Sequence, residues 1–231
     1  MFKSTTLLSN VCRVLAGTAL ALVMAATAKA EGYDLNRMIS GGGGGGGTDP
    51  AKKQIVQSRG QYICLDVSEA PGNQVRFTLR SDIPEPNARL VSVGLSTGRH
   101  AGLFTGWTVV HQSPGLKSTV FSPKFDLTTR TFGGRFGIEF PYEYSKSGKR
   151  PTGGLAPGHF IVMSAALGPG KTFANVVAAL SEGMNPATEA SGLRIAASAH
   201  FLLGGPPPGV GTIHDDATFT LRGVSPRCRA R

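Results

Sequence analysis

Two short segments of this sequence have the spacing of catalytic loops. Gly94-Leu95-Ser96-Thr97-Gly98 matches G-x-S-x-G, in which a serine on a strained strand-to-helix turn presents its hydroxyl as a nucleophile. The residues that follow, RHAGLFTGW, have no helical period and run straight into another extended segment. Ser96 is therefore a candidate nucleophile by spacing alone. Gly168-Pro169-Gly170-Lys171-Thr172 resembles the end of a phosphate-binding loop. The full motif needs a glycine four residues before Gly170, where backbone amides wrap the phosphates. Ala165 stands there, so the segment reads as a strand-to-helix turn, and no nucleotide is expected as a ligand.

Other residues could hold a metal or stack on a sugar. His100, His111, His159, His200 and His214 lack the close His/Cys spacing of a zinc site. Only His214-Asp215-Asp216 gathers possible ligands locally. Three adjacent side chains of an extended segment cannot all point one way, so that triplet needs partners from elsewhere and reads as a loop before the last strand. Trp107, near Phe104, offers a stacking surface if exposed and core packing if not. Carboxylates such as Asp126, Glu139 and Glu143 could serve a hydrolase only if the fold brought a pair together around a pocket. No cofactor-binding motif is expected.

Charge points toward anionic partners. The chain has 24 Lys and Arg against 14 Asp and Glu, a formal net charge of +10. Residues 145–158, SKSGKRPTGGLAPG, form a basic loop in which Lys146, Lys149 and Arg150 could meet an anionic polysaccharide or envelope surface. No dense basic block interleaved with aromatics marks a nucleic-acid binder.

The N-terminus specifies a compartment. Lys3 and Arg13 precede the apolar run VLAGTALALVMAAT (14–27), and Ala28-Lys29-Ala30 supplies a small-x-small triplet. These are the parts of a secretory signal peptide, with cleavage expected between Ala30 and Glu31 and a periplasmic or secreted product. Without Lys3, Arg13 and Lys29 the chain keeps 21 basic and 14 acidic residues, a net of +7. No later run is long enough to span a bilayer as a helix. Cys12 leaves with the signal, and Cys64 and Cys228 remain as an even pair in an oxidising compartment, which predicts a disulfide.

The elements that must position these residues are mostly strands. Residues 31–53, with glycines at Gly41 to Gly47, are expected to be a disordered leader. From about Gln54 a single domain to Arg231 is expected. Short β-rich runs alternate there with turn residues such as Pro71-Gly72-Asn73 and Ser113-Pro114-Gly115. In QVRFTLR (74–80), Val75, Phe77 and Leu79 share one face while Arg76, Thr78 and Arg80 share the other. One segment has the other period: in Lys171–Glu182, Phe173, Val176, Val177 and Leu180 recur at helical spacing. The expectation is a mostly β protein, an antiparallel sandwich or barrel-like domain with one amphipathic helix at about 171–182.

Three functional readings remain open from sequence. They are an exported non-catalytic surface, matrix or binding module, a hydrolase of an envelope polymer, and a fibre- or coat-forming protein joined through sheet edges.

Overall fold

The computed structural model describes residues 29–41, 50–121, 136–143, 152–203 and 213–228. Its strands are β1 Ala30–Asp34, β2 Arg37–Gly41, β3 Ile63–Ala70, β4 Gln74–Ser81, β5 Arg89–Ser96 and β6 Phe104–Gln112. They continue with β7 Thr119–Phe121, β8 Phe136–Glu139, β9 Tyr142–Glu143, β10 Thr152–Gly153 and β11 Phe160–Leu167. The last three are β12 Arg194–Leu203, β13 Ile213–Thr220 and β14 Gly223–Val224. Two α-helices, α1 Pro50–Arg59 and α2 Phe173–Met184, complete the set with single 3-10 turns at Gly60–Tyr62 and Pro226–Cys228.

The strands form two six-stranded sheets, one ordered β14-β1-β3-β4-β11-β6 and the other β2-β13-β12-β5-β8-β7, with β9 and β10 as a separate pair. Every pairing is antiparallel. The chain crosses repeatedly between sheets, first at the buried Leu35 that links β1 to β2. The result is an open β-sandwich over one core, the class the alternating runs imply.

The core follows the period-two rule. Val75, Phe77 and Leu79 of β4 are fully buried, as are Ile161, Met163 and Ala165 of β11. Each of the larger of these side chains contributes on the order of 1.5–3 kcal/mol by leaving water. The two sheets meet through aromatic rings. Trp107 of β6 stacks on Phe136 of β8 at 4.6 Å between centroids and lies 4.8 Å from Phe104 and 5.1 Å from Phe77. Trp107 is thus half-buried packing between the sheets.

Helix α2 spans nearly the expected segment. Phe173, Val176, Ala179 and Leu180 are its buried face, with Val177 packed at the margin. Its fourth contact to the core is therefore Ala179, a residue too small to register as part of an apolar stripe. Helix α1 was not expected. Val56 is its buried anchor and Ile55 is exposed, so no apolar stripe announces it.

The leader is the main correction. Glu31–Asp34 and Arg37–Gly41 are strands paired in the two sheets, and the chain is helical from Pro50. Gly42 to Gly47 fall outside the described residues. The short strands are held by neighbours, β1 between β14 and β3 and β2 against β13, more than by their own composition. The basic loop is corrected in its second half. Thr152–Gly153 pair with β9, and Leu155 is buried and bridged to Leu90. Lys146, Lys149 and Arg150 lie outside the described residues, as do Asp126 and the apolar N-terminal run.

Cys64 and Cys228 form a disulfide, with their α-carbons 5.0 Å apart. It fixes the turn Pro226–Cys228 onto β3, where Cys64 stands opposite Asp34 of β1. Among the described residues no helix is long and apolar enough to cross a membrane.

Candidate functional site

The polar side chains that converge lie around α2, at neither of the spacing motifs as such. A concave groove of about 390 Å³ separates α2 from the β5–β6 connection, residues 97–103. Arg99 and His100 enter it from the connection, and Lys171, Asn175 and Glu182 from the helix and the turn before it. Gly102, Leu103 and Ala178 complete the lining.

Local backbone chemistry sets these positions. The connection folds into two tight turns closed by His100 N–H to the Thr97 carbonyl (2.8 Å) and Leu103 N–H to the His100 carbonyl (2.9 Å). Arg99 N–H donates to the Ser191 carbonyl (3.0 Å), which ties the connection to the segment after α2. Gly98 has φ +53°, and a Cβ there would lie 2.5 Å from the Ser191 oxygen. Gly168 is under the same constraint, because a Cβ would lie 2.1 Å from the Gly102 carbonyl oxygen. Only glycine lets the turn before α2 approach the β5–β6 connection this closely.

Glu182 organises the charges. Its carboxylate accepts from Arg99 Nη2 at 2.8 Å and meets His100 Nε2 at 2.9 Å. Hydrogen bonding to His100, and then to Arg99, holds its carboxyl below the usual glutamate range. The Arg99 side chain is 66% exposed, so its remaining donors face solvent. The groove therefore offers Arg99, Lys171 and His100 around one carboxylate, a set suited to anionic ligands.

The start of α2 is closed by its own chemistry. Asn175 Oδ1 accepts from the Thr172 amide at 2.9 Å and lies 3.1 Å from its hydroxyl. A phosphate-wrapping loop would leave those groups to the ligand. The segment Gly168–Thr172 is the strand-to-helix turn that the missing glycine implied.

Ser96 lies elsewhere. It ends β5 opposite Arg194 of β12, is buried at 6% exposure, and is not part of the groove lining. The chain continues into a turn and β6, so the strand-turn-helix frame of a nucleophile elbow is absent at this position. His214, Asp215 and Asp216 fall within β13, paired with Leu202, Phe201 and His200, and not in a loop before the last strand. Glu139 and Glu143 are exposed ends of β8 and β9.

Sequence reasoning missed Arg99, Asn175 and Glu182 as site residues. His100 and Lys171 were visible, one as an unclustered histidine and one inside the phosphate-loop resemblance. Glu182, which binds both His100 and Arg99, is 82 residues from His100, and no local spacing could pair the two.

A second cavity, of about 700 Å³, flanks the other side of α2, with Phe173, Ala174 and Val177 facing Lys29, Ala30, Glu31 and Glu69.

The fold and groove define an open antiparallel β-sandwich with a groove beside one helix lined by Arg99, His100, Lys171 and Glu182. Comparison with protein-family models, with curated proteins and with solved structures returns no match.

Proposed function

We propose that this protein is an exported, non-catalytic binding module for anionic polymers of the cell envelope, such as acidic polysaccharide. The observation that carries the reading is the convergence of Arg99, His100 and Lys171 on one groove whose single carboxylate, Glu182, is already engaged. Among the described residues, the lining of that groove has no serine, threonine or cysteine. The basic side chains would bind carboxylate or sulfate groups through charge-assisted hydrogen bonds. The excess of basic residues, 24 against 14, would raise the local concentration of such a polymer. Lys146, Lys149 and Arg150 belong to this proposal on charge alone.

The test is retention of the exported protein on immobilised dextran sulfate and polyuronate across a salt series. Binding should weaken steeply as salt rises. The double variant Arg99→Ala/Lys171→Ala should lose at least tenfold in affinity, since charge-assisted hydrogen bonds each contribute roughly 1.5–3 kcal/mol. Retention indifferent to salt, or untouched by the double variant, would sink the reading.

A second reading, assembly into a fibre or coat, has its own observation. Strand β6 is a nine-residue edge strand, FTGWTVVHQ, without Lys, Arg, Asp, Glu or Pro, and Val110 is 49% exposed on it. Edges of soluble sandwiches ordinarily carry a charge or a proline against such pairing. A concentration-dependent rise in mass on size exclusion, abolished by Val110→Lys, would favour assembly over a monomeric binder.

A further inference from the structure

We propose that the outer face of β4, β11 and β6 is a second subsite for the acidic polysaccharide, so that one polymer chain runs from the groove onto this face. The inference rests on the reading that the groove binds such a polymer. Its evidence is what strand register brings to the face. Val75, Phe77 and Leu79 of β4 fill the core, so Arg76, Thr78 and Arg80 point outward. Pairing sets Ser164 of β11 and Thr108 of β6 in one row with Arg76, and Val162 and His111 in the next row with Thr78.

The face suits a sugar chain that carries carboxylates. Arg76 is exposed, and no acidic side chain of the described residues forms an ion pair with it. The nearby acids are engaged or enclosed: Arg80 holds Asp82 at 2.8 Å, and Asp66, opposite Thr78, is 7% exposed. The Arg76 guanidinium is thus open to a carboxylate, which it can meet through two parallel hydrogen bonds. Its cross-strand neighbours Ser68, Ser164 and Thr108 are small, so an extended chain can lie across it. In the direction of Phe160, the exposed His111 ring packs 5.3 Å from the half-buried Phe160 ring. That pair offers an aromatic surface on which the C–H side of a sugar ring can rest.

Face and groove share one end. Strand β11 stops at Leu167, and the Gly168 amide donates to the Leu103 carbonyl at 3.0 Å. The turn that starts there carries Lys171 into the groove lining, beside Gly102 and Leu103. Ser164 lies four residues before Gly168, roughly 13 Å of strand, a span that a few linked sugar rings cover. A chain bound at one subsite meets the other intramolecularly, so a polymer long enough for both gains affinity.

Titration calorimetry with a uronate disaccharide and a uronate decasaccharide tests the path. The double variant Arg76→Ala/His111→Ala changes two exposed side chains outside the groove. It should weaken decasaccharide binding by about fivefold or more and leave disaccharide binding at the groove unchanged. An unchanged decasaccharide affinity would overturn the inference, as would an equal loss for both probes. A concentration-dependent rise in mass on size exclusion, removed by the same variant, would assign the face to a second copy and overturn it too. Wild type that binds neither probe, or disaccharide binding untouched by Arg99→Ala/Lys171→Ala, would instead defeat the groove reading and this inference with it.

Discussion

His100 Nε2 and Glu182 Oε2 stand 2.9 Å apart, and Arg99 reaches the other oxygen of the same carboxylate at 2.8 Å. One helix side chain therefore holds two consecutive residues of the β5–β6 connection. Because these bonds lower the pKa of Glu182, the carboxylate is ionised at neutral pH and opposes any anion entering the groove.

The first prediction follows from that opposition. Glu182→Gln removes the one negative charge of the lining and releases Arg99, so dextran sulfate should bind several-fold more tightly. Elution at higher salt than wild type is the expected readout. Elution at lower salt would mean that Glu182 positions the cations more than it repels the ligand.

Gly98→Ala should destabilise the fold by about 1–3 kcal/mol. At φ +53° the added Cβ meets the Ser191 oxygen at 2.5 Å, and strained left-handed backbone costs energy of that order. Gly106→Ala is the matched control, because a Cβ there meets nothing within 4 Å. Urea unfolding should separate the two variants clearly. Equal midpoints would show that the connection relaxes without cost.

Much of this fold is legible because its cause is local. Val75, Phe77 and Leu79 alternate with Arg76, Thr78 and Arg80, and β4 buries the first set completely. The spacing of Phe173, Val176 and Leu180 marks α2 in the same way. What stays hidden has its cause in distant neighbours. Strand β1 exists because β3 and β14 flank it, and the short segment EGYD has no alternation to reveal it. Helix α1 is anchored by Val56, too small a signal against ten polar-rich residues. The groove is hidden for a related reason, since its central contacts join residues more than eighty positions apart.

Asp34 should make stability fall as pH rises through the acid range. Burial raises its carboxyl pKa, and Arg222 and a hydrogen bond with Ser225 pull it down without cancelling that rise. The folded state then holds the proton longer than the unfolded state. Protein stability declines with pH wherever the native state binds more protons, here from about pH 4, near the ordinary aspartate value, up to the raised folded value. Asp34→Asn removes this dependence. Urea midpoints of wild type minus variant, measured from pH 3.5 to 6.5, should decrease. An increase would show that the attraction of the Arg222 charge outweighs burial.

The disulfide supplies the last prediction. Cys64 and Cys228 are 164 residues apart in sequence, yet both are buried and their α-carbons lie 5.0 Å apart. Joining so distant a pair restricts the unfolded chain far more than the folded one. In the chain-entropy model the gain is about 5 kcal/mol, an upper figure because unfolded chains keep some structure. The bridge also has a local role. Among the described residues beyond β13 are the two-residue strand β14 and the turn Pro226–Cys228, held by bonds such as Ser225 N–H to the Gly32 carbonyl at 2.8 Å. The paired variant Cys64→Ala/Cys228→Ala should therefore lower the urea midpoint, followed through the emission of Trp107, which packs between the sheets. It should also expose the bond after Arg227 to trypsin well before the rest of the chain is cut. Two changes of different range are thus expected from one bond. A variant with the wild-type midpoint and no early cleavage at Arg227 would show that β14 and the turn hold without it.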